Sequence, residues 1–479
     1  MTISSGQFGQ AVTGPGDGAL SAGAGALHRG ELSTARYLLI LLLVGAISAF
    51  IVGLSALVGQ YPTGLMVVGL LFIGLTLWRI EVGLFVMAGL VPWELQTILW
   101  SDFSLIKAAG IVVAVLGILP LFTTRGPRWP VSMKCVLAFG LWATLSQFYN
   151  ISSPVGPILL HFAALLSNMV FFYLLLRFCS TPSALRTLVW IVVLSSFSAA
   201  IAGLFEVAGT GVGMLESGRL TTGANINTYV RFLLPGVFLA PACMTLTRNA
   251  LVRSVLLAGL GAGIAALILT GSRGAVAGAA AGGVLFIVSF RGISIGTRIA
   301  SLLALGLAVG TGYVLALSLG AGEQWQKRAE EGSMTVATDI RLQRWAMAGS
   351  MILDHPVLGL GTTIQEGREY ARRGLYFTES HNDIISAMAQ TGIPGGLCYI
   401  VLVVAVWRDL WRLPGGLLRA SLLGMWTAFL ITAMFNPSLT KKIFWLAAGV
   451  CAASIVSYRQ VGPESGPETA APTTVPSPS

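Results

Sequence analysis

The sequence has little charge. Asp, Glu, Lys and Arg make up only 10% of its 479 residues, whereas 55% are hydrophobic, and soluble domains usually carry about 25% charged residues. The mean hydropathy is +0.81. A water-soluble fold has too little interior to bury this much apolar surface, so the composition excludes one. It predicts a protein that crosses a membrane many times.

Cysteine is also scarce, and no two cysteines have a paired spacing. The five cysteines fall in or beside apolar runs, where a thiol behaves as a small hydrophobic side chain. They are Cys135, Cys179, Cys243, Cys398 and Cys451. We therefore expect neither a disulfide nor a zinc site.

The basic residues are scattered in ones and twos between the apolar runs, although the formal net charge is +10. Short cytoplasmic loops of membrane proteins carry Lys and Arg in this pattern, whereas a nucleic-acid-binding surface would cluster them. With the N-terminus inside, the short outer loops near Tyr61, Asp102 and Ser152 carry no Lys or Arg. The alternation predicts that the long hydrophilic stretch 321–391 faces the periplasm, and that membrane lipids, not nucleic acid, surround the protein.

The apolar runs predict an all-α fold, because a transmembrane helix needs about 20 mostly apolar residues. Because short or paired segments can be half-spans, we expect 12–14 transmembrane helices with one large helical periplasmic loop. The fourteen apolar segments are approximately 37–59, 62–78, 82–99, 105–123, 131–149, 156–177, 187–208, 229–247, 251–270, 275–290, 297–320, 392–407, 416–436 and 441–458. The expected parts are a disordered cytoplasmic tail (1–35), a helix bundle (36–320), the periplasmic loop (321–391), C-terminal transmembrane helices (392–458) and a disordered cytoplasmic tail (459–479).

The periplasmic stretch contains two predicted helices. Residues Asp339–Leu353 place apolar side chains at helical spacing and are followed by the Pro- and Gly-containing turn 355–361. A second helix begins near Asn382, a good N-cap, and runs to Gln390 before Gly392 and Pro394 end it. His381 therefore stands at the mouth of a helix, just before the chain re-enters the membrane.

Cations on the expected outer face are anomalous, because the orientation rule disfavours them there. Arg219, Arg273, Arg341 and Arg344 all fall on that face. Guanidinium groups bind phosphate oxygens with two parallel hydrogen bonds, and a neutral histidine such as His381 accepts a proton near neutral pH. Together they predict a site that binds a phosphate-bearing lipid and removes a hydroxyl proton.

Each of these residues also has a structural interpretation. Arg273 at a span end can anchor the chain to lipid headgroups, and His381 can simply cap its helix. His355 beside a proline reads as a turn residue. Asp383 can be a second base, an imidazole orienter or a helix-dipole partner, and Glu379 shares the first two roles.

Taken in order, these segments resemble the O-antigen ligase and O-antigen polymerase family of bacterial membrane glycosyltransferases. The resemblance covers about 210–400. The matching motifs are Gly218-Arg219 with Gly223 and Asn227, Thr270-Gly271-Ser272-Arg273-Gly274, Arg341 with Trp345, His355-Pro356-Val357-Leu358-Gly359-Leu360-Gly361, and His381-Asn382-Asp383 with Thr391-Gly392-Ile393-Pro394-Gly395.

The resemblance implies a metal-independent glycosyltransferase of the GT-C type that needs no cofactor. Such an enzyme would move a glycan from undecaprenyl diphosphate to an acceptor hydroxyl at the periplasmic face of the bacterial inner membrane. By similarity, Arg219 and Arg273 would hold the donor diphosphate and His381 would act as the base. The expected substrate-binding residues are Arg219, Arg273, Arg341, Arg344, Asn227 and Asn382.

The acceptor divides the family. A ligase uses lipid A-core, a polymerase uses another lipid-linked glycan, and an O-oligosaccharyltransferase uses a protein Ser or Thr. We interpret Arg368, Arg372 and Arg373 as a solvated basic helix face able to meet the phosphorylated core, which favours the ligase. A lipid-linked glycan transporter would instead require ionisable residues deep in the spans and internal repeats, and the sequence shows neither. The oligomeric state stays open.

Overall fold

The described part of the chain is almost entirely α-helical, as the hydrophobic runs predict. The computed structural model describes residues 33–57, 61–93, 98–100, 103–123, 129–150, 155–210, 226–292, 294–303, 310, 333–375, 380–435 and 437–461. The helices are α1 (Thr34–Leu57), α2 (Tyr61–Trp78), α3 (Ile80–Leu90), α4 (Leu105–Thr123), α5 (Val131–Tyr149), α6 (Val155–Phe178), α7 (Pro182–Thr210), α8 (Ile226–Thr245), α9 (Ala250–Leu269), α10 (Arg273–Ser289), α11 (Ser333–Asp354), α12 (Thr363–Arg372), α13 (Asp383–Trp411), α14 (Leu417–Ala433) and α15 (Lys442–Val461). A short hairpin of β1 (Ile98–Trp100) and β2 (Phe103–Ser104) precedes α4.

Many of these helices are apolar enough for a membrane. Within the described residues, six are long enough to cross one: Val131–Tyr149, Ile158–Phe178, Pro182–Glu206, Thr228–Thr245, Ala250–Leu269 and Asp383–Trp411. Six further helices contain a shorter apolar stretch of described residues. These stretches are Thr34–Ala49, Met66–Trp78, Ile80–Trp93, Ile106–Gly117, Arg273–Ser289 and Leu417–Ala433. The protein is therefore an all-α polytopic membrane protein. Most of the predicted run 297–320 lies outside the described residues.

Glycines let α10 lie directly against α14. Gly278 and Gly282 are four residues apart and face one side of α10. A Cβ atom added at Gly282 would lie 2.4 Å from the carbonyl oxygen of Gly424, and one at Gly278 would lie 2.9 Å from that of Ala428. Small residues at this spacing allow two helix backbones in a membrane to approach closely. This contact holds α10 against α14, and the N-cap Ser272 sets the start of α10 at Arg273.

A kink divides α13 at Gly392, whose φ of 72° lies in the left-handed region. Pro394 has no N–H group, so the carbonyl of Gln390 loses its helical partner and instead accepts a hydrogen bond from the Gly361 amide at 2.7 Å. The Ile393 amide donates to the Pro356 carbonyl at 2.8 Å. The turn 355–361 is therefore docked into the kink. The predicted helix end at Gln390 lies directly before this break, and a second helical segment continues from the kink to Trp411.

The bundle has two chemically different ends. At one, here called the loop end, α11 and α12 cover the starts of α10, α13 and α15. The other, here called the basic end, joins the end of α10 to the start of α14, where Arg419 donates to the Ser289 carbonyl at 2.6 Å. The connections at the basic end carry the arginines Arg177, Arg186, Arg248, Arg253, Arg291, Arg298, Arg408, Arg412 and Arg419.

Candidate active site

Two arginines converge at the loop end. Arg273 is the exposed first residue of α10, directly after the N-cap Ser272. Arg341 of α11 holds its guanidinium carbon 5.6 Å from the centroid of the Phe435 ring, and a Cβ atom at Gly274 would lie 2.8 Å from the same ring. Loss of surrounding water and the positive charge of Arg273 lower the pKa of Arg341. We call Arg273 and Arg341 the arginine pair.

Among the described residues, no carboxylate compensates the positive charge of the arginine pair. Within the described part of the chain, neither guanidinium forms an ion pair with a carboxylate. The N-terminus of α10 adds a partial positive charge where Arg273 begins the helix. The two guanidinium groups repel each other, so an anion bound between them would lower the electrostatic energy. Phosphate oxygens suit both the guanidinium forks and the helix N-terminus.

His381 lies in a strained backbone conformation at the start of α13. Its φ is 57°, and within the described residues it is the one non-glycine residue with positive φ. Such a conformation is uncommon for a residue with a side chain and costs free energy. The N-cap of α13 is Asn382, whose side-chain oxygen accepts from the amides of Ile384 and Ile385 at 3.0 and 3.2 Å. The interpretation of His381 as the helix cap is therefore wrong.

Contacts through α11 bring the arginine pair and His381 to one place. Arg341 and Trp345 are four residues apart on α11 and thus share a helix face. The Trp345 indole N–H donates to the carbonyl oxygen of Ser380 at 3.1 Å, and Ser380 directly precedes His381. The arginine pair and the segment that bears His381 therefore both lie beside α11 at the loop end, an arrangement able to bind a phosphate and take up a proton.

The Asp383 carboxylate forms hydrogen bonds that connect helices of the bundle. Its side chain is buried and accepts from the Tyr399 hydroxyl at 2.8 Å, the Leu439 amide at 3.2 Å, and both the hydroxyl and amide of Ser438. Arg231, also fully buried, donates to the Pro437 carbonyl in the same connection. Asp383 thus ties α13 to the start of α15. Glu379, the other proposed orienter, lies outside the described residues.

The remaining predicted site residues occupy different surroundings. The carbonyl of Arg344 accepts from the Tyr370 hydroxyl at 2.9 Å. Burial and the charge of Glu366 raise the pKa of Tyr370, and the charge of Arg344 opposes this shift. Asn227 lies in the first turn of α8, but its side chain, like the whole of Arg219, lies outside the described residues.

The predicted basic edge is only partly solvated. The side chain of Arg372 is 81% exposed, whereas Arg373 is 22% exposed and forms ion pairs with Glu369 at 2.8 Å and Asp354 at 2.6 Å. The interpretation of Arg373 as a solvated residue is therefore wrong, because it joins α12 to the end of α11. His355, just past that end, is exposed.

Three further charged residues at the loop end escaped the sequence analysis. Glu366 is fully buried in the first turn of α12, where an acidic residue looks like an ordinary helix-dipole partner. Lys441 directly precedes α15, and Lys442 is its first residue. Both are cations on the expected outer face, so the orientation rule that singled out the arginines could also have found them. Over the described residues, no three His, Cys, Asp or Glu side chains form a group able to hold a metal ion.

The comparisons with known proteins agree with the motifs. Residues 258–400 match the family model described as O-antigen ligase, a family of glycosyltransferase-like enzymes. The matched segment contains the arginine pair, Arg344, His381 and Asn382. Among curated proteins, no sequence matches this chain. Residues 258–400 therefore form an O-antigen ligase domain, which supports the assignment of this chain to the O-antigen ligase and polymerase family.

Proposed function

We propose that this chain is a metal-independent glycosyltransferase that moves a glycan from undecaprenyl diphosphate to a hydroxyl of lipid A-core at the periplasmic face of the inner membrane. The observation that carries the proposal is the arginine pair, which lacks a carboxylate partner within the described residues and lies beside the segment that bears His381. A diphosphate supplies the anion that this electrostatic arrangement favours.

The proposed reaction is a displacement at the anomeric carbon of the glycan. The acceptor hydroxyl oxygen forms a bond to that carbon while the bond from the carbon to the diphosphate oxygen breaks. His381 takes the hydroxyl proton, and undecaprenyl diphosphate leaves with the electron pair of the broken bond. Arg273 and Arg341 stabilise the negative charge that develops on the leaving group, and Arg219 is proposed to join them.

The choice of lipid A-core as acceptor rests on the exposed basic residues of α12. Arg372 forms an ion pair with Glu369 at 3.0 Å but is 81% exposed, and such an exposed pair is weak, so Arg372 is available to phosphate groups of the core. The two ion pairs of the more buried Arg373 withdraw it from that role. The two alternatives use the same donor chemistry. They are an O-antigen or exopolysaccharide polymerase and a protein O-oligosaccharyltransferase.

One assay distinguishes these activities. The purified protein is incubated with an undecaprenyl-diphosphate-linked glycan and, in separate reactions, with lipid A-core, with a second lipid-linked glycan and with a Ser/Thr-containing acceptor protein. We expect transfer to lipid A-core alone. Extension of the lipid-linked glycan would identify a polymerase, and glycosylation of the protein an oligosaccharyltransferase. Absence of transfer to all three acceptors by folded protein would contradict the proposal.

A further inference from the structure

Glu366 is a buried carboxylate at the loop end that the proposed reaction does not use. Its side chain is 0% exposed. Removing a carboxylate from water is costly unless hydrogen bonds replace the lost hydration. The groups that supply those bonds therefore indicate what this residue holds in place.

The hydrogen-bond donors to Glu366 lie on both sides of His381. The backbone amide of Ser380 donates to Oε1 at 3.0 Å, and the side-chain amide of Gln390 donates to Oε2 at 2.8 Å. The Ser386 hydroxyl lies 3.5 Å from Oε1. One carboxylate in α12 thus binds the residue before His381 and the first two turns of the helix after it.

Ser380 is held at both of its peptide groups. Its amide binds Glu366, and its carbonyl accepts from the Trp345 indole at 3.1 Å. Its hydroxyl lies 2.8 Å from the Ser386 hydroxyl. The next residue, His381, has a φ of 57°, a conformation that persists only where the surrounding structure imposes it. The bonds to Ser380 are contacts able to impose it.

We propose that Glu366 is a positioning residue for the glycosyl transfer: it fixes Ser380 and thereby directs the His381 imidazole toward the acceptor hydroxyl. This inference rests on the proposed role of His381 as the base. Glu366 itself touches neither substrate. A general base must lie within hydrogen-bond reach of the proton that it removes, so a displacement of about 1 Å lowers the rate about a hundredfold.

The matched variants are Glu366→Ala and Glu369→Ala. Both remove a carboxylate from α12, but Glu369 binds Arg372 and Arg373 and not Ser380. We expect Glu366→Ala to lower kcat about a hundredfold, with KM for the lipid-linked donor within about threefold of wild type. Glu369→Ala should retain wild-type kcat. Glu366→Gln should restore most of the lost rate, because its amide oxygen can still accept from the Ser380 amide.

A double variant separates positioning from a general loss of structure. In a His381→Gln background there is no base left to position, so adding Glu366→Ala should cause no further loss of transfer. A full additional hundredfold loss would overturn the proposal, as would wild-type kcat for Glu366→Ala alone. If His381→Gln itself transfers at the wild-type rate, the base assignment fails and the positioning role fails with it.

Hydrogen exchange tests the contact without any activity. Exchange of the Ser380 amide should be faster in Glu366→Ala than in Glu369→Ala, because only the first variant removes its acceptor. If Glu366→Ala does not fold, Glu366→Gln takes its place and should still exchange several-fold faster than wild type, since a neutral acceptor binds more weakly than a carboxylate. Unchanged exchange at Ser380 would show that Glu366 does not hold this segment and would overturn the proposal.

Discussion

Two sets of arginines lie at the loop end, and they differ in their surroundings. Arg373 is bound by Glu369 and Asp354 and by the Ser350 hydroxyl at 2.6 Å. Arg273 and Arg341, the arginine pair, have no carboxylate partner within the described residues, and the charge of Arg273 contributes to the lowered pKa of Arg341. A compensated arginine holds two helices together. We interpret the arginine pair, which no carboxylate compensates among the described residues, as a site for an anion that comes from outside the protein.

The comparison depends first on which side of the membrane the loop end faces, and this prediction has the largest expected effect because it is all or none. In a cysteine-free protein, Arg372→Cys at the loop end should react with a membrane-impermeant thiol reagent in intact spheroplasts. Arg412→Cys at the basic end, whose native side chain is 65% exposed, should react only after lysis. If Arg412→Cys reacted in intact spheroplasts and Arg372→Cys only after lysis, the arginine pair would face the cytoplasm, where cations are expected.

The second prediction concerns the base beside the arginine pair. His381→Gln keeps hydrogen-bonding groups but does not take up a proton, so transfer should fall by about a hundredfold to ten-thousandfold. His355→Gln is the matched control, because His355 is exposed beyond the end of α11 and should retain most activity. Steady-state kinetics on both purified variants would measure this. Near wild-type transfer by His381→Gln would move the base to another residue.

The third prediction compares the two sets of arginines directly. Lysine keeps the charge of Arg273 but lacks the guanidinium fork. Arg273→Lys should therefore lose about 3 kcal/mol of transition-state stabilisation, roughly a hundredfold in kcat/KM. Arg373→Lys should transfer at the wild-type rate. If Arg273→Lys also transferred at the wild-type rate at equal expression, the arginine pair would have no special role. The interpretation of Arg273 as an anchor to lipid headgroups would then be favoured.

The smallest expected effect is on stability. Arg373→Lys cannot bind Glu369 and Asp354 with one planar group, so it should lower the free energy of unfolding by about 1 kcal/mol or less, as is usual for partly exposed ion pairs. Thermal unfolding in detergent, with Arg372→Lys as control, would measure this. A loss well above that range would mean that Arg373 supports more of the loop end than its contacts indicate.

The helices that sequence predicted best are those whose apolar run alone decides the structure. The runs 105–123 and 131–149 coincide with α4 and α5, because a run of about 20 apolar residues has few alternatives in a membrane. The contacts that hold α13 across its break at Gly392 were not predictable in this way. Gly392 and Pro394 indicate the break, but the distant turn 355–361 and two side chains of α5, Trp142 and Ser146, supply the hydrogen bonds that satisfy the broken backbone.

The site was predictable as a set of residues, whereas its contacts were not. Arg273 and Arg341 stood out because the orientation rule disfavours cations on the expected outer face, and His381 stood out because a neutral histidine accepts a proton near neutral pH. The buried state of Glu366 and the ion pairs of Arg373 depend on how α11, α12 and α13 meet. Residues distant in sequence supply those partners, so no local pattern revealed them.

The most direct test of the account is the binding of undecaprenyl diphosphate, without glycan transfer, by the purified protein. Each charge-assisted hydrogen bond contributes about 1.5–3 kcal/mol, so Arg273→Gln combined with Arg341→Gln should raise the Kd at least about a hundredfold. Arg373→Gln should leave the Kd unchanged. Equal affinity in all three proteins would contradict the claim that the arginine pair binds the donor diphosphate.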